Sequence, residues 1–91
     1  GKAALHLFVE GTHESFGRNL RDLVYRNKRD FNCCKSLLMV FSGRLDCMNL
    51  RAIDEYKTFI SSTVAPDADI VYTASFFETR KEEYALSLVM N

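Results

Sequence analysis

Three cysteines, Cys33, Cys34 and Cys47, are the side chains with the clearest potential for covalent chemistry. A catalytic thiol needs a nearby base and a positive environment that lowers its pKa. The sequence around the adjacent pair shows neither, so roles in packing or in a loop are favoured, and a thiol enzyme using Cys33 or Cys34 is kept as a third hypothesis. The odd count and the spacing match neither a disulfide framework nor a zinc site, and they favour a reducing, cytoplasmic setting.

The remaining ionisable side chains form no convincing catalytic cluster. His6 falls in an alternating apolar segment without partner ligands, so a half-buried strand residue is favoured over a metal ligand. Asp54 and Glu55 are adjacent on a predicted helix, where neighbours diverge by about 100°, so they cannot face one site together. The basic segment Arg26–Asp30 lacks the interleaved aromatics of a nucleic-acid platform and is interpreted as a turn at a solvated helix end. We therefore predict no catalytic residue, metal site or cofactor site in this chain.

Length and charge limit the class of protein. The 91 residues suffice for one small domain, placed at residues 3–91. The formal net charge is zero, so neither nucleic-acid binding nor membrane insertion is predicted. Residues 1–45 carry eight Lys/Arg against four Asp/Glu, and residues 46–91 carry four against eight, a division compatible with partner contacts. Because a strand pattern follows Gly1 and Lys2 almost at once, we expect a fragment of a longer protein.

Hydrophobic periodicity predicts the element order β-α-β-α-β-β. Ser15 and Asn49 are the expected N-caps of the two helices. The predicted strands are Ala3–Glu10, Lys35–Phe41, Asp69–Phe77 and Tyr84–Met90, and the predicted helices run from Phe16 to about Lys28 and from Leu50 to about Val64.

Right-handed strand–helix–strand connections place both helices on one face of a four-stranded mixed sheet, an α+β two-layer sandwich. The direct link between the last two strands predicts an antiparallel hairpin. The apolar run Leu37–Phe41 predicts a central strand covered on both faces, followed by a loop at Ser42–Asp46. Pro66 ends the second helix, and we expect the carboxylates of Asp67 and Asp69 to bond the backbone of the turn that follows.

Several segments together resemble the C-terminal domain of the FtsZ/tubulin-type cell-division GTPases. Pro66–Val71, with the sequence Pro-Asp-Ala-Asp-Ile-Val, is very similar to the family's Pro-Asp-Ala-Asn-Ile-Ile step into a strand. Ser36–Gly43 resembles the family's buried strand ending in small residues, and Asp46 before a helix matches an Asp-Leu step. Ala74–Val89 resembles the closing hairpin, and Gly11–Asn19 resembles a loop leading into a helix.

The resemblance implies a role in polymer assembly. In this family the Gly-rich phosphate loop and the acidic loop that activates the neighbour's GTP precede the region matched here, and this chain has no Gly-rich phosphate loop. The implied domain neither binds nor hydrolyses nucleotide alone, and GTP belongs to its parent. The implied partners are other filament subunits and the parent's N-terminal GTPase domain. The implied subunit contacts are Arg51, Asp54 and Asp67, with Thr12, His13 and Glu14 for side-to-side contacts.

The resemblance also implies that a connecting helix of the parent covers part of the second face of the sheet. Without that helix, this face would be bare at residues among Leu38, Val40, Val71 and Val89, which predicts self-association. The alternative function is a small ligand-binding regulatory α/β domain.

Overall fold

The computed structural model describes residues 4–91, and within them the chain forms four strands, three α-helices and a short 3₁₀ turn. The predicted start of the domain and of its first strand, Ala3, lies outside the described residues. The elements are β1 Leu5–Gly11, α1 Phe16–Arg26, α2 Lys28–Cys33, β2 Ser36–Arg44, the 3₁₀ turn Leu45–Cys47, α3 Leu50–Ser61, β3 Asp69–Phe77 and β4 Tyr84–Met90.

The strands form one mixed sheet in the order β1-β4-β2-β3. β4 runs antiparallel to both β1 and β2, and β3 lies parallel to β2. The predicted four-stranded α+β architecture is confirmed, whereas the predicted hairpin of β3 and β4 is wrong. β4 takes an interior position because only Ser87 interrupts its apolar sequence, and its residues are buried or half-buried on both faces of the sheet.

The absence of a side chain at Gly43 makes room for the connection that places β4 beside β2. The connection from β3 to β4 crosses the end of β2, and a Cβ atom at position 43 would collide with the carbonyl oxygen of Glu83 and lie 2.8 Å from Cε2 of Phe76. Without that Cβ, the Glu83 carbonyl can accept a hydrogen bond from the Arg44 amide at 3.3 Å. The predicted loop at Ser42–Asp46 is wrong in its first part, because β2 continues to Arg44.

Two helices, α1 and α3, cover one face of the sheet, as predicted. Each helix buries an apolar stripe against alternate residues of the strands, which is the packing of a two-layer sandwich. The shared core contains Phe16, Leu20, Leu23 and Val24 of α1, Ile53 and Ile60 of α3, Leu37, Met39 and Phe41 of β2, and Leu86, Leu88 and Met90 of β4.

The two predicted N-caps behave differently. Asn49 caps α3 as predicted, since its Oδ1 accepts a hydrogen bond from the Ala52 amide at 3.1 Å. Ser15 occupies the N-cap position of α1, but its side chain makes no cap bond to that helix. The Ser15 hydroxyl instead accepts a hydrogen bond from the Thr12 amide at 2.9 Å and so shapes the preceding loop.

The basic segment Arg26–Asp30, interpreted from sequence as a turn, contains the junction of two helices. The Asn27 side chain donates to the carbonyl of Leu23 at 2.8 Å, which satisfies one of the last acceptors of α1. α2 follows and is held by fully buried Phe31. A single apolar residue in a six-residue helix gives no periodic signal, so the sequence did not predict α2.

Pro66 lies at the second position of a turn after α3. The Ala68 amide donates to the carbonyl of Ala65 at 3.0 Å, and proline is preferred at this position of such turns. The expectation that the carboxylates of Asp67 and Asp69 accept hydrogen bonds from the turn is wrong, because no such bond is found within residues 4–91. The backbone alone closes this turn, and both carboxylates are exposed.

Candidate subunit-contact surfaces

The domain has two well-separated ends, because the nine residues of β2 span about 30 Å. At the Gly11 end, β1, β2 and β3 finish, while α1, α3 and β4 begin. At the Asp69 end, β3 begins beside the start of β2, and β4 finishes. Side chains in loops at these two ends cannot converge on one small site.

The structure divides the predicted contact residues between these ends. The loop Thr12–Glu14 follows β1 at the Gly11 end, and Arg51 lies in the first turn of α3 at the same end. Asp54 lies one helical turn further along α3. Asp67 lies beyond the other end of α3, at the Asp69 end. All of these residues are exposed.

The loop Thr12–Glu14 is fixed by hydrogen bonds. The Ser15 amide donates to Oγ1 of Thr12 at 3.1 Å, and the two hydroxyl groups are 3.0 Å apart. The His13 amide donates to Oε1 of Glu83 at 2.9 Å, which ties the loop to the residue before β4. The loop therefore presents its exposed side chains from a defined backbone.

Tyr84 is the buried anchor of the Gly11 end. Its hydroxyl donates to the carbonyl of Cys47 at 2.6 Å, and its ring centroid lies 5.6 Å from Phe16, 6.1 Å from Phe76 and 6.2 Å from Tyr56. Burial raises the pKa of Tyr84, so the phenol remains a neutral donor. Sequence reasoning placed Tyr84 only in a strand, because its partners come from four separate parts of the chain.

Arg44 and Asp46 form an exposed ion pair at the same end. Nε of Arg44 lies 2.6 Å from Oδ1 of Asp46, and this hydrogen bond lowers the pKa of the Asp46 carboxyl. The pair lines an open depression of about 360 Å³ together with Leu45 and Glu78. The arrangement orders the link from β2 to α3, and Nη2 of Arg44 also donates a hydrogen bond to Sγ of Cys47 at 3.4 Å.

Cys34 and Cys47 lie in environments that disfavour a reactive thiolate. Cys33 is exposed and Cys34 is buried. Burial raises the pKa of both Cys34 and Cys47, which disfavours the nucleophilic thiolate. Among residues 4–91, no three His, Cys, Asp or Glu side chains come together as a possible metal site. No helix in that part of the chain combines the length and apolar character needed to span a membrane.

Arg51 and Asp67 are charged groups without an ion pair in the described part of the chain. Arg51 lies in the first turn of α3, where a cation opposes the helix dipole. Asp54 instead pairs with Lys57 at 3.6 Å. Both side chains are exposed, Arg51 at the start of α3 and Asp67 in the turn after it.

A shallow groove separates α1 and α2 from the end of α3. It has a volume of about 420 Å³, with Tyr25 and Phe59 supplying apolar surface and Arg21 and Lys28 supplying positive charge. The hydroxyl group of Ser62 at its margin already donates to the carbonyl of Phe59 at 2.6 Å. The groove therefore offers area and charge, but few converging hydrogen-bond donors for a small ligand.

The second face of the sheet is open, with no described element packed across it. Leu38 is 37% exposed and Val71 is 59% exposed, while Val40 and Val89 are half-buried. The predicted bare face is thus confirmed most clearly at Leu38 and Val71. The expectation that both faces of Leu37–Phe41 would be covered is wrong for this chain, because the helices cover only the side of Leu37.

These features define a two-layer α+β domain with an FtsZ-like fold. A solved structure described as an empty FtsZ dimer from M. jannaschii matches with a TM-score of 0.77 and 20% identity, covering 96% of this chain and 26% of that chain. A mutant form of FtsZ from M. jannaschii matches with a TM-score of 0.72, at the same identity and coverage. No protein-family model and no curated protein matches the chain. The resemblance found in the sequence is confirmed at the level of the fold, and the chain spans about a quarter of the length of these FtsZ chains.

Proposed function

We propose that this chain is the C-terminal assembly domain of an FtsZ-like GTPase and contributes subunit contacts in filament formation. The observation that carries the proposal is the likeness of fold to FtsZ over 96% of the chain. Because the chain spans only 26% of the matched FtsZ chain, GTP binding and hydrolysis are assigned to the rest of a cytoplasmic parent. The domain alone then needs no cofactor and is not an enzyme.

The side of α3 supplies the proposed contact with the nucleotide domain of the next subunit. Arg51, Asp54 and Asp67 are exposed along α3 and the turn that follows, and a helix of this length spans about 18 Å.

The loop Thr12–Glu14 supplies the proposed side-to-side contact. Its hydrogen bonds to Ser15 and Glu83 hold the backbone in place before any partner arrives. A preorganised loop loses less conformational entropy on binding than a flexible one. This loop therefore suits a repeated contact between parallel filaments.

Charge reversal in the full-length parent tests the proposed contact. Arg51→Glu and Asp67→Lys are each expected to raise the critical concentration for GTP-dependent pelleting about ten-fold or more, because like charges placed across an interface cost several kcal/mol. Arg18→Glu is the matched control, since Arg18 is also exposed in the first turn of a helix at the Gly11 end. Equal effects of Arg51→Glu and Arg18→Glu would contradict the assignment.

Nucleotide binding by the domain alone is tested by calorimetry. Titration of the 91-residue chain with GTP is expected to give no binding heat. Saturable binding of GTP would show that the chain has a nucleotide site of its own and would overturn that part of the proposal.

A further inference from the structure

β3 differs from the other strands in being exposed on both faces. Val71 and Phe77 point to the open face, and Phe77 is 54% exposed. Tyr72 is on the opposite face, yet it is 47% exposed. Nζ of Lys57 lies 4.1 Å from the centroid of the Tyr72 ring, and this contact from α3 leaves about half of the tyrosine open to a partner.

The outer edge of β3 is also open. In the described part of the chain, β3 pairs only with β2, in an unbroken parallel register from Asp69 opposite Ser36 to Phe77 opposite Arg44. Within residues 4–91, the backbone of residues 70–76 makes no hydrogen bond outside this pairing. An edge with free N–H and C=O groups specifies an extended backbone as its partner.

The sequence of β3 lacks the features that keep edge strands from pairing. It contains no Pro, Lys or Arg, and its register with β2 includes no bulge. The one residue of the strand that is charged at neutral pH, Asp69, is its first residue. The other edge strand, β1, carries Glu10 and His6 within its length.

We propose that β3 pairs antiparallel with β3 of a second copy of this chain, which joins the two sheets across their edges. A two-fold axis at Thr73 sets Tyr72 opposite Ala74 and Ile70 opposite Phe76. These pairs keep every side chain on its own face of the joined sheet and place aromatic rings beside small or β-branched residues.

The occupant is a second copy because the strand is complementary to itself. The pairing about Thr73 sets Asp69 opposite Phe77, so no two like charges face each other. The same pairing sets Val71 opposite Ser75, so the exposed valine gains a neighbour on the open face. This contact is separate from the proposed filament contacts, since Arg51, Asp67 and the loop Thr12–Glu14 all lie outside β3.

Substitution of Thr73 tests this pairing at its symmetry axis. In sedimentation equilibrium of the 91-residue chain, Thr73→Lys is expected to raise the dimer dissociation constant about five-fold, because the two lysines would face each other. An equimolar mixture of Thr73→Lys and Thr73→Glu chains is expected to dimerise at least as tightly as the wild-type chain. His6→Lys is the matched control, as an exposed residue on the open face of the other edge strand, and should leave the constant within about two-fold of wild type.

Several outcomes would overturn the pairing. The wild-type chain could stay monomeric at millimolar concentration, or Thr73→Lys could leave the dimer dissociation constant unchanged. The mixture of Thr73→Lys and Thr73→Glu chains could fail to restore dimerisation. His6→Lys could weaken the dimer as much as Thr73→Lys does, which would indicate that the dimer forms by stacking of open faces. Amide hydrogen exchange of the wild-type chain tests the proposal without any substitution. Residues 70–76 should exchange more slowly as concentration rises, and unchanged exchange there would also overturn the pairing.

Discussion

Along Leu37–Phe41 of β2, both faces of the sheet are apolar in sequence, yet only one is covered. Neighbouring residues of β2 show the difference, since Leu37 is 2% exposed on the helix side and Leu38 is 37% exposed on the other. Burial depends on a second layer, and α1 and α3 reach only one side. The helix-covered face therefore supplies most of the stability of the domain, and the other face stays exposed as apolar surface of the kind that favours association.

The largest expected difference in stability is between two leucine-to-alanine substitutions, one on each face of the sheet. Leu88→Ala removes a fully buried side chain and should lower the free energy of unfolding by about 2–5 kcal/mol. Leu38→Ala, on the open face, should cost about 1 kcal/mol or less. Urea unfolding of dilute samples measures both values, and similar losses would mean that the open face is covered in the monomer.

Gly43 and Gly17 give the next contrast. Gly43→Ala should lower the free energy of unfolding by about 1–3 kcal/mol. Its methyl group would collide with the carbonyl oxygen of Glu83, at the point where the connection from β3 to β4 crosses β2. Gly17→Ala should be neutral or stabilise by up to about 1 kcal/mol, since its methyl group meets Cε1 of Tyr56 at an ordinary 3.6 Å and favours α1. Thermal unfolding reports both, and a tolerated Gly43→Ala would show that the crossing does not need glycine.

Tyr84→Phe should cost about 1 kcal/mol, because the carbonyl of Cys47 loses its hydrogen-bond donor. Folding raises the pKa of Tyr84. The stability that the neutral phenol contributes is therefore complete below the ordinary tyrosine pKa and is lost as pH rises through the raised value. The difference in stability between wild type and Tyr84→Phe should therefore shrink in alkali. Exposed Tyr25→Phe is the control, and an equal cost there would remove the special role of Tyr84.

The smallest expected effect concerns the exposed pair of Arg44 and Asp46. Arg44 lowers the folded pKa of Asp46, so the pair stabilises the fold above the ordinary carboxyl pKa and loses this contribution as pH falls through the lowered value. In Arg44→Ala, the Asp46 pKa measured by NMR should rise toward its ordinary range. An unchanged Asp46 pKa would show that the ion pair does not form in solution, and Arg26→Ala should leave it unaltered.

The sequence predicted the limits of the strands better than it predicted which strands lie side by side in the sheet. The limits of β3 and β4 were predicted correctly, because the Pro66 turn and the charged segment Glu78–Glu83 separate them from the rest of the chain. The position of β4 between β1 and β2 was not predicted, because it depends on a close approach at Gly43 that no periodic pattern records.

The candidate site shows the same limit. The exposure of Arg51 and Asp67 follows from their positions on a helix and in a turn, which the sequence indicates directly. Their separation to opposite ends of α3 was also predicted, because the predicted helix runs from Leu50 to about Val64. The anchoring role of Tyr84 needs contacts with Phe16 and Phe76, which lie far away in sequence, so only the three-dimensional structure reveals it.

Hydrogen exchange of the full-length parent, before and after GTP-dependent assembly, tests the assembly role most directly. We expect slower exchange on assembly for peptides that contain residues 12–14, 50–54 and 65–69, and unchanged exchange in residues 18–26 of α1. Assembly that leaves exchange unchanged in all three peptides would contradict the proposal that this domain supplies subunit contacts.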